Sequence, residues 1–190
     1  MGEQILVETP LIGRHQLRNV ALAIAAAEEL SKQGFPVTAK SIEHGIRETR
    51  WPGRFQVLPA TADAPEYVFD VAHNPAGAWA LRSTLSAAYA DRPLIFVFGA
   101  MLDKAIGEIA EILFPLGERI VVTRANNPRS ATPLEIHEAA TRVSAEIEAA
   151  PDVPCALQRA RELAGPQGLV VVTGSIYIVG EAMRALRVRI

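Results

Sequence analysis

Two side chains able to do chemistry, Asp70 and His73, follow a short apolar run at residues 67–69. The run is too brief for a helix and rich in strand-forming residues, so it predicts a buried β-strand. Asn74 and Pro75 then predict a helix start, because asparagine caps helices and proline suits their first turn. Asp70 and His73 are therefore expected at the carboxyl end of a strand beside a helix N-terminus, where open α/β sheets bind anionic ligands.

These residues also have an interpretation without a ligand, since Asn74 and Pro75 would begin a helix in any α/β domain. Asp70 fits that interpretation less well, because an aspartate at a strand end is disfavoured unless its carboxylate has a partner. His73 can supply a proton or a positive charge near neutral pH. We therefore favour a ligand site at this position.

Polar residues follow three later strand-like runs as well. Asp103 and Lys104 come after an apolar strand; Asp103 could simply cap the next helix, whereas Lys104 could offer its charge to an anion. A later loop carries Arg124 and Arg129, and Ser175 follows the final strand. Because the carboxyl ends of parallel strands meet at one edge of a sheet, these residues together predict a single binding edge.

Arg54 and Asn19 are two further candidates. Arg54 follows a Pro-Gly turn at the proposed hinge, and its planar guanidinium could bind a phosphate there. Alternatively, Arg54 could be only a solvated charge in a linker. Asn19 lies in a predicted helix, although asparagine is a poor helix former. Its amide could bond to a nearby backbone group, or it could pair with a purine edge because it both donates and accepts hydrogen bonds.

The composition limits the class of protein. Of 190 residues, 49% are hydrophobic and 21% are charged, so a folded core is expected. A net charge of −2 argues against binding to nucleic acid or an anionic membrane. The N-terminus does not have the pattern of a signal peptide, so the cytoplasm is the expected location. The single cysteine, Cys155, allows no internal disulfide and is expected to be buried in a helix. The histidines show no metal-ligand spacing, so we assign no metal to this chain.

The pattern of apolar residues changes at residues 51–54. Before this point it predicts an isolated strand at residues 3–9 and two helices, one beginning at Gly13 and one capped by Thr38. We interpret residues 1–50 as the incomplete helical tail of another domain and residues 51–54 as a hinge.

After the hinge, strands and helices alternate, which predicts that residues 55–190 form one complete α/β domain. Its continuous apolar strands are typical of a mostly parallel, six-stranded, Rossmann-like sheet wound on both faces, with the first two strands free to pair antiparallel. The predicted strands are 55–58, 67–71, 93–98, 119–123, 146–148 and 169–173; the predicted helices are 76–89, 104–113, 133–143, 153–163 and one after residue 174.

Five motifs carry a resemblance to a known family. They are G-R-H-Q-L-R-N-V-A-L-A-I-A-A-A at 13–27, W-P-G-R-F at 51–55, D-V-A-H-N-P-A-G at 70–77, G-A-M-L-D-K at 99–104 and V-T-G-S-I-Y-I-V-G-E-A at 172–182. In order and approximate spacing they resemble the C-terminal portion of folylpolyglutamate synthase/dihydrofolate synthase, in the Mur ligase superfamily. The resemblance covers nearly the whole chain.

The resemblance implies an ATP-dependent amide ligase that adds L-glutamate to folate or dihydropteroate through an acyl phosphate. It implies that a central domain carries the phosphate loop and the Mg²⁺ ligands, and that a C-terminal domain closes over the nucleotide. By this match Asn19 would contact the adenine, Arg54 the terminal phosphates and Asp70 the ribose hydroxyls. His73 would lie close to the phosphates and act with Arg54 in catalysis. Substrate-binding candidates are Lys104 and Ser175.

The chain departs from the family pattern at Val71, where glycine is usual, and at Ala105, where an acidic residue is usual. It also lacks a G-x-x-x-x-G-K-[ST] phosphate loop, so we expect the chain to be inactive by itself. Two alternatives are a Mur ligase that adds an amino acid to a cell-wall precursor and a non-catalytic nucleotide-binding module. The P-G-R-F and T-G-S-x-Y motifs argue against the first, and the isolated strand and helices before the hinge argue against the second.

Overall fold

The computed structural model describes residues 6–188, which separate into two compact units on either side of the Pro52–Gly53 bond. None of the helices in this part of the chain has both the length and the apolar character needed to cross a bilayer.

The first unit contains the two predicted helices, α1 (Arg14–Lys32) and α2 (Ala39–Arg47). Thr38 caps α2 as expected, because its hydroxyl accepts a hydrogen bond from the Ser41 N–H and the Ser41 hydroxyl accepts one from the Thr38 N–H. The predicted strand at residues 3–9 is wrong for residues 6–9, which have no regular secondary structure, and its first three residues lie outside the described ones. A strand without a neighbour cannot satisfy its backbone hydrogen bonds.

The second unit is built on a six-stranded sheet of order β1-β2-β6-β3-β4-β5. Only β1 and β2 pair antiparallel; the other neighbours among the described strands are parallel. The strands are β1 (Gln56–Leu58), β2 (Glu66–Phe69), β3 (Leu94–Phe98), β4 (Arg119–Val122), β5 (Ile147–Ala149) and β6 (Leu169–Thr173). The predicted fold class, a mostly parallel six-stranded α/β sheet, is confirmed.

Helices cover both faces of the sheet. On one face, α3 (Pro75–Ala88), α4 (Ile106–Leu113) and α5 (Pro133–Ala139) contribute to one apolar cluster; on the other, α6 (Val153–Ala164) and α7 (Ile176–Ala185) contribute to a second. A short 3-10 helix at Phe114–Leu116 follows α4. Every residue of β3 and β6 is buried, which explains why these strands read as continuous apolar runs rather than alternating ones.

Three local predictions need correction. Cys155 lies in α6 as expected but is exposed, because the buried stripe of this helix passes through Val153, Ala156 and Leu157 instead. Helix α4 begins two residues later than predicted, at Ile106. Helix α5 ends at Ala139 rather than near residue 143, and its last turn tightens there, since the Ala140 N–H is shared between the Ile136 and His137 carbonyl oxygens.

A polar cluster joins the end of α3 to the start of β2. The Tyr89 hydroxyl donates to one carboxylate oxygen of Glu66, and Arg92 pairs with the other at 2.9 Å. Arg92 also donates to the Gly168 carbonyl at 2.9 Å, which ties the cluster to the start of β6. Burial and the hydrogen bond to Glu66 raise the pKa of Tyr89 from its ordinary value of 10.0 to about 12.

Replacing Tyr89 by phenylalanine should therefore change how stability depends on alkaline pH. Between pH 10.0 and about 12 the unfolded chain loses the tyrosine proton before the folded chain does, so wild-type stability falls as pH rises through this window. The variant should be less stable by about 1–2 kcal/mol near neutral pH, because it lacks the hydrogen bond, and this deficit should shrink above pH 10.0. Urea unfolding across the window measures both effects; a constant deficit would contradict the raised pKa.

Candidate functional site

A cavity of about 300 Å³ opens at the carboxyl edge of the sheet in the second unit. Its lining brings together four of the predicted site residues: Arg54, His73, Lys104 and Ser175. These four residues therefore share one concave surface at the edge of the sheet where the sequence predicts a binding site.

The topology explains how five separate segments reach this cavity. Segments after β2, β3, β4 and β6 meet there because these strands are parallel and end at the same edge. Arg54 precedes β1, and β1 runs antiparallel with Gln56 opposite Phe69. The start of β1 therefore lies beside the end of β2, which brings Arg54 to the same edge as His73.

Arg54 is held in a tight turn. Its neighbours Gly53 and Phe55 have φ angles of +70° and +47°, both in the left-handed region. The Gly53 carbonyl accepts a hydrogen bond from the Val71 N–H at 2.9 Å, which fastens the turn to the segment after β2. A Cβ at Gly53 would lie 3.0 Å from the Val71 side chain, so the close approach requires glycine.

Asp70 lies at the end of β2 and is only 7% exposed. One carboxylate oxygen accepts a hydrogen bond from the Phe55 N–H and the other accepts one from the Ala72 N–H, each at 2.9 Å. Asp70 does not line the cavity. The carboxylate thus has the partners that an aspartate at a strand end requires.

His73 and Asn74 continue this segment. The His73 Nδ1 donates to the Val71 carbonyl oxygen at 2.9 Å. This bond fixes the orientation of the ring, with Nε2 on the side away from that carbonyl. Asn74 caps α3, because its side-chain oxygen accepts the Gly77 N–H at 2.8 Å. The expected helix start is confirmed, and His73 is the exposed residue immediately before the cap.

Lys104 and Ser175 complete the set of four. Lys104 forms an ion pair with Asp103 at 2.8 Å, and the hydrogen bond from Lys104 lowers the pKa of the Asp103 carboxyl group. Asp103 does not cap α4, whose cap position is Ala105 with no side-chain hydrogen bond. Ser175 is 2% exposed and caps α7, since its hydroxyl accepts the Tyr177 N–H at 3.1 Å.

Arg129 and Tyr177 also line the cavity. Arg129 was predicted to lie at the binding edge but was given no role, and Tyr177 was not predicted as a site residue. The Arg129 carbonyl accepts the Leu102 N–H at 2.9 Å, so the loop after β4 is attached to the loop after β3. Both residues stood in stretches that the sequence singled out: Arg129 in a polar loop with two cations, and Tyr177 in the T-G-S-x-Y motif.

The charges around the cavity suit an anion. Arg54, Lys104 and Arg129 are cationic, His73 adds an imidazole ring, and Asp103 is the acidic residue of the lining. The lining therefore carries an excess of positive charge, although the chain as a whole has a net charge of −2. Within residues 6–188, no group of three His, Cys, Asp or Glu side chains could hold a metal ion.

Asn19 belongs to the first unit. Its Nδ2 donates to the Gln16 side-chain oxygen at 2.8 Å, one helical turn earlier in α1. The side chain is exposed, and this bond engages its amide nitrogen.

Comparison with known proteins finds relatives named as folylpolyglutamate or dihydrofolate synthases. The chain is 35% identical over 182 residues to the probable bifunctional folylpolyglutamate synthase/dihydropteroate synthase of Haloferax volcanii, covering 95% of this chain and 21% of that protein. It resembles Mycobacterium tuberculosis folylpolyglutamate synthase complexed with ADP, with a TM-score of 0.84 and 29% identity over 97% of this chain and 42% of that one.

A third similarity is to the bifunctional folylpolyglutamate synthase/dihydrofolate synthase of Yersinia pestis complexed with AMPPNP and a Mn ion. The TM-score is 0.79 and the identity 28%, covering 98% of this chain and 43% of that one. The chain thus spans less than half the length of each of these proteins. Residues 53–176 match the sequence profile described as Mur ligase, glutamate ligase domain. Since this match takes in the larger part of its residues, the chain belongs to the Mur ligase family.

Proposed function

We propose that the chain is the C-terminal part of an ATP-dependent ligase that joins L-glutamate to folate or dihydropteroate through an amide bond. The observation that carries the proposal is the cavity in which Arg54, His73, Lys104 and Ser175 meet. Its cationic lining suits a substrate set composed of phosphates and carboxylates. The names of the similar proteins, one of which was solved with ADP, support the same reaction.

The donor set fits a bound nucleotide. When bound, ATP with Mg²⁺ would supply the phosphoryl group that activates the substrate carboxylate as an acyl phosphate. Arg54 would grip the terminal phosphates with its planar guanidinium, and His73 would stabilise charge beside them. Asn19 would recognise the adenine and Asp70 the ribose hydroxyls. The metal would be held mainly by a part of the protein outside this chain.

The second half of the reaction needs a place for glutamate. The Lys104 ammonium, which pairs with Asp103 in the structure, could pair with a glutamate carboxylate instead. The Ser175 hydroxyl accepts the Tyr177 N–H and still has its own proton to donate to glutamate. The amino group of glutamate would then attack the acyl phosphate. The phosphate would leave as the amide bond forms.

The first unit would be the tail of the central ATP-binding domain, and residues 51–54 the hinge. The exposed apolar side chains of α1, among them Leu17 and Leu22, support this, because a helix of a complete domain would bury such residues. Closure about the hinge would exclude water from the acyl phosphate. The chain alone would lack the phosphate loop and would not catalyse ligation.

An assay of the full protein that contains this chain tests the proposal. With ATP, Mg²⁺, L-glutamate and either folate or dihydropteroate, we expect glutamate-dependent release of ADP and a product extended by one glutamyl residue. Mass spectrometry identifies the product, and omission of glutamate is the control. The chain of 190 residues alone should show no ligation. Ligation of an amino acid to a cell-wall precursor instead would refute the assignment.

A further inference from the structure

The turn that presents Arg54 is strained at the residue that follows. Phe55 has a φ of +47°, in a region that residues with bulky side chains rarely adopt. Such a conformation persists only where the surrounding structure imposes it, and it occurs often at functional sites. Phe55 therefore needs specific contacts to keep it in place.

Two contacts meet this need. The Phe55 ring is 4% exposed, packs in the core, and lies with its centroid 6.4 Å from that of Tyr89. The Phe55 N–H donates to one carboxylate oxygen of Asp70 at 2.9 Å. Phe55 is thus held by its ring from one side and by its backbone from the other, and Arg54 is attached to it directly.

The second carboxylate oxygen of Asp70 binds the backbone of the segment that carries His73. It accepts the Ala72 N–H at 2.9 Å, in the segment that leads to His73. The His73 ring donates to the Val71 carbonyl within the same segment. A single buried carboxylate therefore bonds to the backbone next to Arg54 and to the backbone next to His73.

We propose that Asp70 is a positioning residue, which fixes Arg54 and His73 relative to each other so that both can act on one phosphate group. The identity of that group rests on the proposed function. A carboxylate suits the task because both of its oxygens accept, and hydrogen bonds to a charged acceptor are stronger than those between neutral groups. Asparagine, with one accepting oxygen, can satisfy only one of the two N–H groups.

The first test uses the chain itself and requires no catalysis. In wild-type protein labelled with ¹⁵N, the Phe55 and Ala72 amides should exchange with solvent far more slowly than the exposed amides of neighbouring loops. In Asp70→Asn, at least one of these amides should lose its protection, and the Arg54 side-chain signals should shift and show increased motion. Fast exchange of both amides in the wild type would overturn the proposal, whether or not the variant folds.

Asp152→Asn is a matched control. Asp152 also accepts a backbone N–H, that of Cys155 at 2.8 Å, but it caps α6, where asparagine is an equally good cap. This variant should leave the Arg54 signals unchanged. Equal effects of the two substitutions on Arg54 would show a general loss of stability and would overturn the positioning role.

The second test is kinetic and uses the full ligase. Asp70→Asn should lower kcat by roughly a hundredfold, because a displacement of about 1 Å in a reacting group costs this much, while the KM for glutamate changes little. A preserved kcat, with or without a change in the KM for ATP, would leave Asp70 with the proposed ribose contact alone and would overturn the positioning role. If the wild-type protein has no ligase activity, the proposed function fails, and the exchange measurements still decide the role of Asp70.

Discussion

Arg54→Ala should lower the rate of the proposed glutamate ligation by the full protein by about two orders of magnitude or more, because the guanidinium would stabilise charge as the phosphoryl group moves. The expectation rests on the geometry of the turn. Gly53 and Phe55 hold the backbone of Arg54 on both sides, so its side chain enters the cavity from a fixed base. A donor held in place before the reaction spends no free energy on reorganisation during it.

Two variants sharpen this measurement. Arg54→Lys keeps the charge but loses the planar fork, so it should recover only part of the rate. Arg142→Ala removes an arginine whose side chain is 83% exposed and which does not line the cavity, so it should leave the rate unchanged. Steady-state assays of ADP release give kcat and KM for each. Normal turnover by Arg54→Ala would remove this residue from the mechanism.

Gly174→Ala should destabilise the fold by about 2–5 kcal/mol, combining backbone strain with overpacking. Gly174 has a φ of +101°, which alanine rarely adopts. An added Cβ would also lie 2.6 Å from the Phe98 ring and 2.7 Å from the Gly99 carbonyl oxygen. Because Gly174 joins β6 to the Ser175 cap, relief of this clash would displace Ser175 from the cavity.

Gly180→Ala is the control and should have the opposite sign. Gly180 lies within α7, and nothing is within 4 Å of the position its Cβ would take. Alanine is favoured over glycine inside a helix, so the substitution should stabilise the protein by about 0.5–1 kcal/mol. Urea unfolding of both variants measures the difference. Similar stabilities for the two would show that the turn at Gly174 tolerates a side chain.

Much of the fold could be predicted because its signals are local. Thr38 and Asn74 cap helices whose starts depend only on the next three residues, and the apolar runs of β3 and β6 are long enough to identify buried strands. Where the signal depended on the surroundings, prediction failed. The apolar character of Cys155 did not say which face of α6 it occupies. Capping of α4 by Asp103 was one of two open interpretations, and Asp103 pairs with Lys104 instead.

In the candidate site, too, local features could be predicted from the sequence and contacts between distant residues could not. Residues at the ends of parallel strands, such as His73 and Lys104, could be assigned to one edge because the topology of such sheets is regular. The hydrogen bond from Phe55 to Asp70 could not be predicted, since it joins residues 15 positions apart and depends on the antiparallel pairing of β1 and β2. Sequence reasoning therefore identified Asp70 as important but gave no sign of its backbone partners.

The strand β6, in the middle of the sheet, is synthesised after both of the strands that it pairs with. Strand β6 lies between β2 and β3, yet it comes last in sequence among the six strands that the structure describes. While a ribosome is still translating residues before Leu169, β2 and β3 are already made and each has an open edge with unpaired backbone groups. The nascent sheet is therefore exposed to chaperones, proteases and aggregation until β6 is made, and a message truncated before Leu169 would yield a chain unable to close its sheet.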